Sequence, residues 1–307
     1  MEHITVFGSF VVDLMSRGPH LPVPGETVKS SMFKLGPGGK GFNQGIAAKR
    51  AGANITMVTK LGRDTFADVA LNKLKEENMS TEYIFVADDV PTGTAIIMVD
   101  EKTSQNQIMV TLSACDTFND VDIEKITPLI KQSGYLLIQL ETNVDGIEKV
   151  INIAKKNGVK VILNPAPIQP ISDEMYKEID IITPNEVEAA ILTNVQIKTS
   201  EDALKAAEVL MSKGVGNVVI TLGKMGVLAV TKDKHQLFEN YDIKVLDTTG
   251  AGDAFNGGFV TALSEGKNIF DACFFGNVVS NLAVTKLGTA IAMPSRVEID
   301  KFIKENT

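Results

Sequence analysis

The chain has 307 residues, 44% of them hydrophobic and 22% charged, with a formal net charge of −8 and an isoelectric point near 5.1. That balance suits a globular protein with a sizeable core, and the acidity, with no Lys/Arg cluster or basic stretch interleaved with aromatics, excludes a nucleic-acid-binding surface. No apolar run approaches the ~18 residues needed to span a membrane, and the N-terminus lacks a basic segment ahead of a long apolar one, so a cytoplasmic protein without a membrane partner is expected.

The first strand, Ile4 to Phe7, runs into Gly8-Ser9 and reaches Asp13, whose carboxylate suits a polyol because it can accept from two vicinal hydroxyls. Residues 14–37 show short β-rich patterns and no good helix. Gly38-Gly39-Lys40-Gly41 comes next. It is not a phosphate-binding P-loop, which needs Ser or Thr where Gly41 stands, and no GxGxxG follows the first strand. By spacing alone it is a loop turning into a helix over 43–51. Apolar runs then recur: 55–58 leads to Arg63-Asp64, 135–140 ends in Glu141, and 159–163 ends in Asn164-Pro165. Further on, 179–183 ends in Pro184-Asn185-Glu186 and 218–222 in Gly223-Lys224-Met225-Gly226. Residues 91–113 break this rhythm with β-rich segments such as Thr94 to Val99.

Continuous apolar strands separated by helices predict an α/β fold, a largely parallel central sheet flanked by helices on both faces. Ligands in such a sheet bind beyond the carboxyl ends of the strands. No repeat or linker divides the chain, so 1–307 is expected to form one domain, with 14–37 and 91–113 inserted as a small β-sheet lid. Cys115 and Cys273 lie far apart without ligand spacing and read as buried reduced thiols. His3, His20 and His235 are scattered and enter no triad.

The most informative run lies near the C-terminus, from Asp247-Thr248-Thr249-Gly250 through Ala251-Gly252-Asp253-Ala254 to Phe259. The glycines let successive N–H groups turn toward one spot. A helix expected from Ala254 to about Leu263 aims its positive end there. Asp253 stands beside this anion cradle as a proton acceptor, a pairing that suits phosphoryl transfer to a hydroxyl. Read alone, the run is equally a Gly-rich turn with Asp as an N-cap.

Asp247 to Phe255 resembles a signature of the ribokinase (PfkB-type carbohydrate kinase) family. Phe33-Lys34-Leu35-Gly36-Pro37-Gly38-Gly39-Lys40-Gly41-Phe42-Asn43-Gln44-Gly45-Ile46-Ala47 resembles that family's other signature, in family order, and the likeness covers nearly the whole chain. It implies a ribokinase-like fold and an ATP-dependent kinase acting on the primary hydroxyl of a pentose, ribose or 2-deoxyribose. Asp253 would be the base, and Gly250, Ala251 and Gly252 the anion hole. Asp13, Gly39, Lys40, Gly41, Asn43 and Glu141 would hold the sugar, with Asn43 as a bidentate amide and Lys40 and Arg63 as supporting cations. Asn185, Thr221, Gly223, Gly226, Gly252 and Asn277 would border the nucleotide, and Asn185 and Glu188 would organise Mg2+. A potassium ion would rest mainly on carbonyls among Asp247, Thr249, Ala283, Lys286, Gly288 and Ala292. The small sheet would also mediate a homodimer.

Three positions depart from the usual ribokinase pattern. Val11 stands where ribokinases commonly carry Asn, Phe42 where they often carry Ala, and the segment Leu112 to Asp116 differs as well. An apolar Val11 weakens the case for ribose and raises that for 2-deoxyribose or another sugar. A family kinase for another sugar or a nucleoside stays open, as does a non-catalytic sensor, against which the intact Asp253 and glycines speak.

Overall fold

Two sheets organise the chain, of which the computed structural model describes residues 1–103 and 105–306. The first half contains β1 (Ile4–Phe7), β2 (Val11–Gly18), β3 (Met32–Gly38), α1 (Lys40–Ala51), β4 (Ile55–Gly62), α2 (Ala67–Glu76), β5 (Ile84–Ala87), β6 (Gly93–Asp100), β7 (Asn106–Thr111), α3 (Asp120–Lys131) and β8 (Tyr135–Gln139). Then come α4 (Val144–Lys156), β9 (Lys160–Asn164), α5 (Asp173–Lys177), β10 (Ile181–Ile182), α6 (Glu186–Thr193), α7 (Ser200–Ser212) and β11 (Asn217–Thr221). Strands β12 (Val227–Val230) and β13 (His235–Phe238) and helices α8 (Ala251–Ser264), α9 (Ile269–Ala283) and α10 (Arg296–Asn306) complete it.

The large sheet has the order β13-β12-β11-β10-β9-β8-β1-β4-β5. From β11 to β5 all neighbours are parallel, and β12 and β13 add an antiparallel edge. Its strands are apolar on both faces because helices cover both. Ile4, Val6, Leu137 and Ile162 pack with Ile46 of α1, Phe255 and Phe259 of α8 and Val278 of α9. Phe7, Leu136, Ile138, Val161 and Leu163 point the other way, onto Ile126 of α3, Ile147 and Val150 of α4 and Leu210 of α7. The parallel core and both helical layers match the reading of the sequence. The edge strands β12 and β13 were not foreseen, and β10 is shorter than its apolar run.

The small sheet has the order β3-β2-β6-β7, with β2 and β6 parallel and the outer pairs antiparallel. Its strands occupy the two segments that broke the helix–strand rhythm. The chain leaves the large sheet between Phe7 and Val11 and returns at Gly39 into α1. Those crossings bring Gly8 against Gly41, where a Cβ on Gly41 would stand 2.7 Å from the Gly8 backbone. Side chains at either position would push the two segments apart. No helix among the described residues is long and apolar enough to cross a membrane.

Candidate active site

Helix α8 begins at Ala251, three residues earlier than its sequence pattern suggested, because Gly250 caps it in the left-handed region with φ 77°. Gly252 and Asp253 therefore sit inside its first turn, where backbone N–H groups have no intrahelical acceptor. The amide of Ala251 is already taken by the Thr248 carbonyl at 3.1 Å. The donors left for an anion at this turn are then those of Gly252 and Asp253. A Cβ at Gly252 would meet nothing within 4 Å, so the space in front of the turn is open on the protein side.

Asp253 is buried, and its two oxygens are addressed separately: Asn43 Nδ2 donates to Oδ2 and Gln44 Nε2 to Oδ1, both at 3.0 Å. Burial raises its pKa, against the opposing pull of Lys40 and the two amides. Asn43 has thus committed an N–H to the base, while its Oδ1 is a buried acceptor with no protein donor. Both amides lie on α1, which packs against α8, so the base is held by the helix that follows the Gly-rich crossing.

Lys40 opens α1. Burial works to lower its pKa, but Asp253, Glu141 and Glu188 together outweigh that and raise it. Glu141, just beyond β8, takes the Lys40 amide at 2.8 Å and the Ser9 hydroxyl through Oε2. Burial raises Glu141 as well, with Lys40 opposing. Asp13 on β2 is half-buried and pushed up to about 7 by burial, the Thr289 hydroxyl opposing and Glu141 and Asp253 adding to the rise. These five charged groups, from β2, α1, the end of β8, α6 and α8, lie close enough to shift one another. Arg63 does not join them: it forms an exposed ion pair with Asp88 at 2.6 Å.

Asn185 and Glu188 form a reciprocal capping box on α6, the side chain of each accepting from the other's backbone N–H at 2.8 Å. Glu188 Oε2 is engaged in that cap, and burial raises the group. The helix-start reading of this residue is met by the cap, and a hard carboxylate oxygen with partial access has the chemistry to serve Mg2+ through its water shell. Thr221 ends β11, and Gly223 and Gly226 shape the following turn with φ 52° and 98°. Asn277 on α9 is buried and donates to the Glu239 carbonyl at 2.9 Å, so it secures the loop beside this turn.

Asp247 joins two loops, accepting from Thr249 N–H at 2.9 Å and Gly288 N–H at 3.0 Å. The Ala283 carbonyl accepts from Lys286 N–H at 3.0 Å, and the Lys286 ammonium turns away to Glu298 at 2.7 Å. Only the backbone oxygen of Lys286 is then compatible with a cation. The Asp247 carboxylate and the carbonyls of Thr249 and Ala292, carried by the same two loops, are oxygen donors of the kind a hard cation takes. The described residues hold no group of three or more His, Cys, Asp or Glu side chains arranged for a metal.

Residues 1–296 match the pfkB family of carbohydrate kinases. The chain is 41% identical to a ribokinase of Haemophilus influenzae, with 98% of each chain covered. It is 32% identical to a deoxyribokinase of Salmonella typhi over 99% of each. Its fold superposes with a TM-score of 0.90 on an Arabidopsis thaliana ribokinase solved with ribose and ATP, at 29% identity and 99% coverage of both chains.

Proposed function

The chain belongs to the pfkB family of carbohydrate kinases, and we propose that it is an ATP-dependent pentose kinase that phosphorylates the primary hydroxyl of ribose or 2-deoxyribose. The similarity to proteins named ribokinase and deoxyribokinase, and to a ribokinase bound to ribose and ATP, supports both substrates. The observation that carries the reading is Asp253: a buried carboxylate oriented by two amides, in the same helical turn as the unengaged amides of Gly252 and Asp253.

Asp253 takes the proton of the sugar hydroxyl as its oxygen attacks the γ-phosphorus, and ADP leaves with the bridging oxygen. The Gly252 and Asp253 amides face the charge on the transferring group, Gly250 sets the turn that presents them, and Ala251, whose amide is bonded to Thr248, supplies no donor. Asp13, the Gly39-Lys40-Gly41 backbone, Asn43 Oδ1 and Glu141 hold the sugar. Asn185, Thr221, Gly223, Gly226, Gly252 and Asn277 border the nucleotide. Asn185 and Glu188 would hold Mg2+, which when bound would neutralise phosphate charge. Asp247, Thr249, Ala283, Lys286, Gly288 and Ala292 would hold potassium, which adds positive charge behind the anion hole. The small sheet serves as a lid that excludes water, and as the surface on which two copies pair.

A panel of ribose, 2-deoxyribose, fructose, fructose 6-phosphate and adenosine with ATP tests the substrate. Asp253→Asn keeps the shape and removes the base, so kcat should fall at least ~100-fold with folding intact. Near-parental turnover would remove Asp253 from this role.

A further inference from the structure

Behind Asp253, beyond the Gln44 amide that touches it, runs a chain of buried polar side chains that the reaction above does not use. Gln44 is fully buried on α1 and donates through Nε2 to both Asp253 Oδ1 and Asn164 Oδ1, each at 3.0 Å. Its Oε1 accepts from Gln139 Nε2 at 2.6 Å. Asn164 donates to the Thr183 carbonyl at 2.8 Å, and the Thr183 hydroxyl donates to Asn256 Oδ1 at 2.7 Å. Asn256 donates in turn to the Gly252 carbonyl at 2.9 Å. The chain follows the carboxyl ends of β8, β9 and β10 and finishes on the peptide of the anion cradle.

We propose that Gln44 is a positioning residue that orients the Asp253 carboxylate toward the incoming hydroxyl, and that Gln139 locks Gln44 in place. The lock follows from amide chemistry. A Gln side chain has donors on nitrogen and acceptors on oxygen, so the N–H of Gln139 holds the oxygen end of Gln44 toward β8. Both Gln44 N–H groups are thereby committed, one to the base and one to Asn164. With Oδ1 tied by Gln44 and Oδ2 by Asn43, rotation of the carboxylate would break one of two bonds. Hydrogen bonds to a carboxylate also favour its ionised form. The charges facing Asp253 are Lys40 on α1, Glu141 beyond β8, Asp13 on β2 and Glu188 on α6, and of these only Lys40 favours ionisation. Gln44 therefore works with Lys40 and Asn43 against burial.

The inference rests on Asp253 as the base of the proposed kinase, and the experiment separates the two. Gln44→Met removes the donors at similar volume. Its kcat for the pentose should fall about tenfold or more while the sugar KM stays within about threefold, since a bond to a charged group is lost. The acid limb of kcat should move up by about one pH unit. Gln139→Met should give a smaller loss in the same direction, and the double variant should be no worse than Gln44→Met, because both act through one amide. If Gln44→Met does not fold, Gln139→Met carries the test. Carboxyl 13C NMR reads the Asp253 titration without turnover, its signal identified by its absence in Asp253→Asn. A midpoint raised in Gln44→Met, or in Gln139→Met, supports the proposal even in a protein that turns over no sugar, a result that would instead sink the kinase reading. An unmoved midpoint in a folded variant overturns the proposal, whether kcat is kept within twofold or lost.

Discussion

Asp13 illustrates how one side chain ties the site to pH. Burial, helped by Glu141 and Asp253 and opposed by Thr289, brings it from 3.8 up to about 7. Only the ionised carboxylate accepts from two sugar hydroxyls. Between pH 8 and pH 6 its ionised fraction falls about tenfold, so kcat/KM for the sugar should fall by a similar factor, and Asp13→Asn should flatten that limb at a lower plateau. A flat parental profile over this range would detach Asp13 from the sugar. The sign for stability is opposite to that of a salt-bridged carboxylate. The folded value exceeds the unfolded one, so this group's contribution is fully present below about 4 and declines as pH rises to about 7. At Val11 the expectation concerns specificity. The residue is buried at the start of β2, and its Cγ1 is 2.9 Å from where a Cβ on Gly93 would stand, so it presents no polar partner. A site without such a partner does not penalise a sugar lacking the hydroxyl. Competition assays should give 2-deoxyribose a kcat/KM no worse than ~tenfold below ribose, about 1.4 kcal/mol, and Val11→Asn should shift the ratio toward ribose. A parental preference for ribose of several hundredfold would place the discriminating contact elsewhere.

Among the elements, the loop before α8 and the loop after α9 meet through Asp247 alone of the side chains proposed to hold potassium, by way of Thr249 and Gly288. Replacing sodium by potassium at constant ionic strength should raise activity, and Asp247→Ala should abolish the response; equal rates in both salts would remove the cation. The loops that carry this chemistry were legible because glycine and carboxylate spacing are written locally: Gly38 to Asn43 and Asp247 to Asp253 both lie at helix starts, as read. The start of α8 was misplaced by three residues because Gly250, in a left-handed cap, admits Ala251 to the helix, and glycine content alone does not say which glycine turns. Gln44, Gln139, Asn164, Thr183 and Asn256 were missed for a different reason. Buried amides carry no charge and no periodic signal, and only packing α1 and α8 over the ends of β8, β9 and β10 turns them into a network. In the sequence they resemble ordinary helix and strand residues. Asn277 was named through the family resemblance and not from its own surroundings, because its bond to the Glu239 carbonyl joins residues far apart in sequence.

At the scale of the molecule, the small sheet has two faces of different character. Successive residues of a strand point to opposite faces, so Asp13, on the side proposed to hold the sugar, alternates with Leu14. Leu14 is in register with Leu35 on β3 and Ile96 on β6, and Ile96 with Met109 on β7. The face opposite Asp13 therefore carries a cross-strand apolar row, with Phe33 two residues along on the same side. Leu35, Ile96, Met109 and Phe33 are 43%, 50%, 71% and 64% exposed. Scattered exposed apolar side chains need no explanation, but a contiguous row on one sheet face does. Four strands at strand spacing make a face of roughly 20 by 25 Å, about 500 Å², which is below the ~800 Å² per partner of a standard interface and suits a weaker pairing. The partner proposed is a second copy, since a row running across all four strands can meet its own two-fold image. Sedimentation equilibrium at micromolar concentration should then give twice the 33.1 kDa chain mass. Ile96→Glu, at the middle of the row, should return the monomer with an unchanged circular dichroism spectrum, because a charge at the centre of a desolvated contact has no partner. A parent that sediments as a monomer, or an Ile96→Glu protein that stays dimeric, would show that this face does not pair with its own copy.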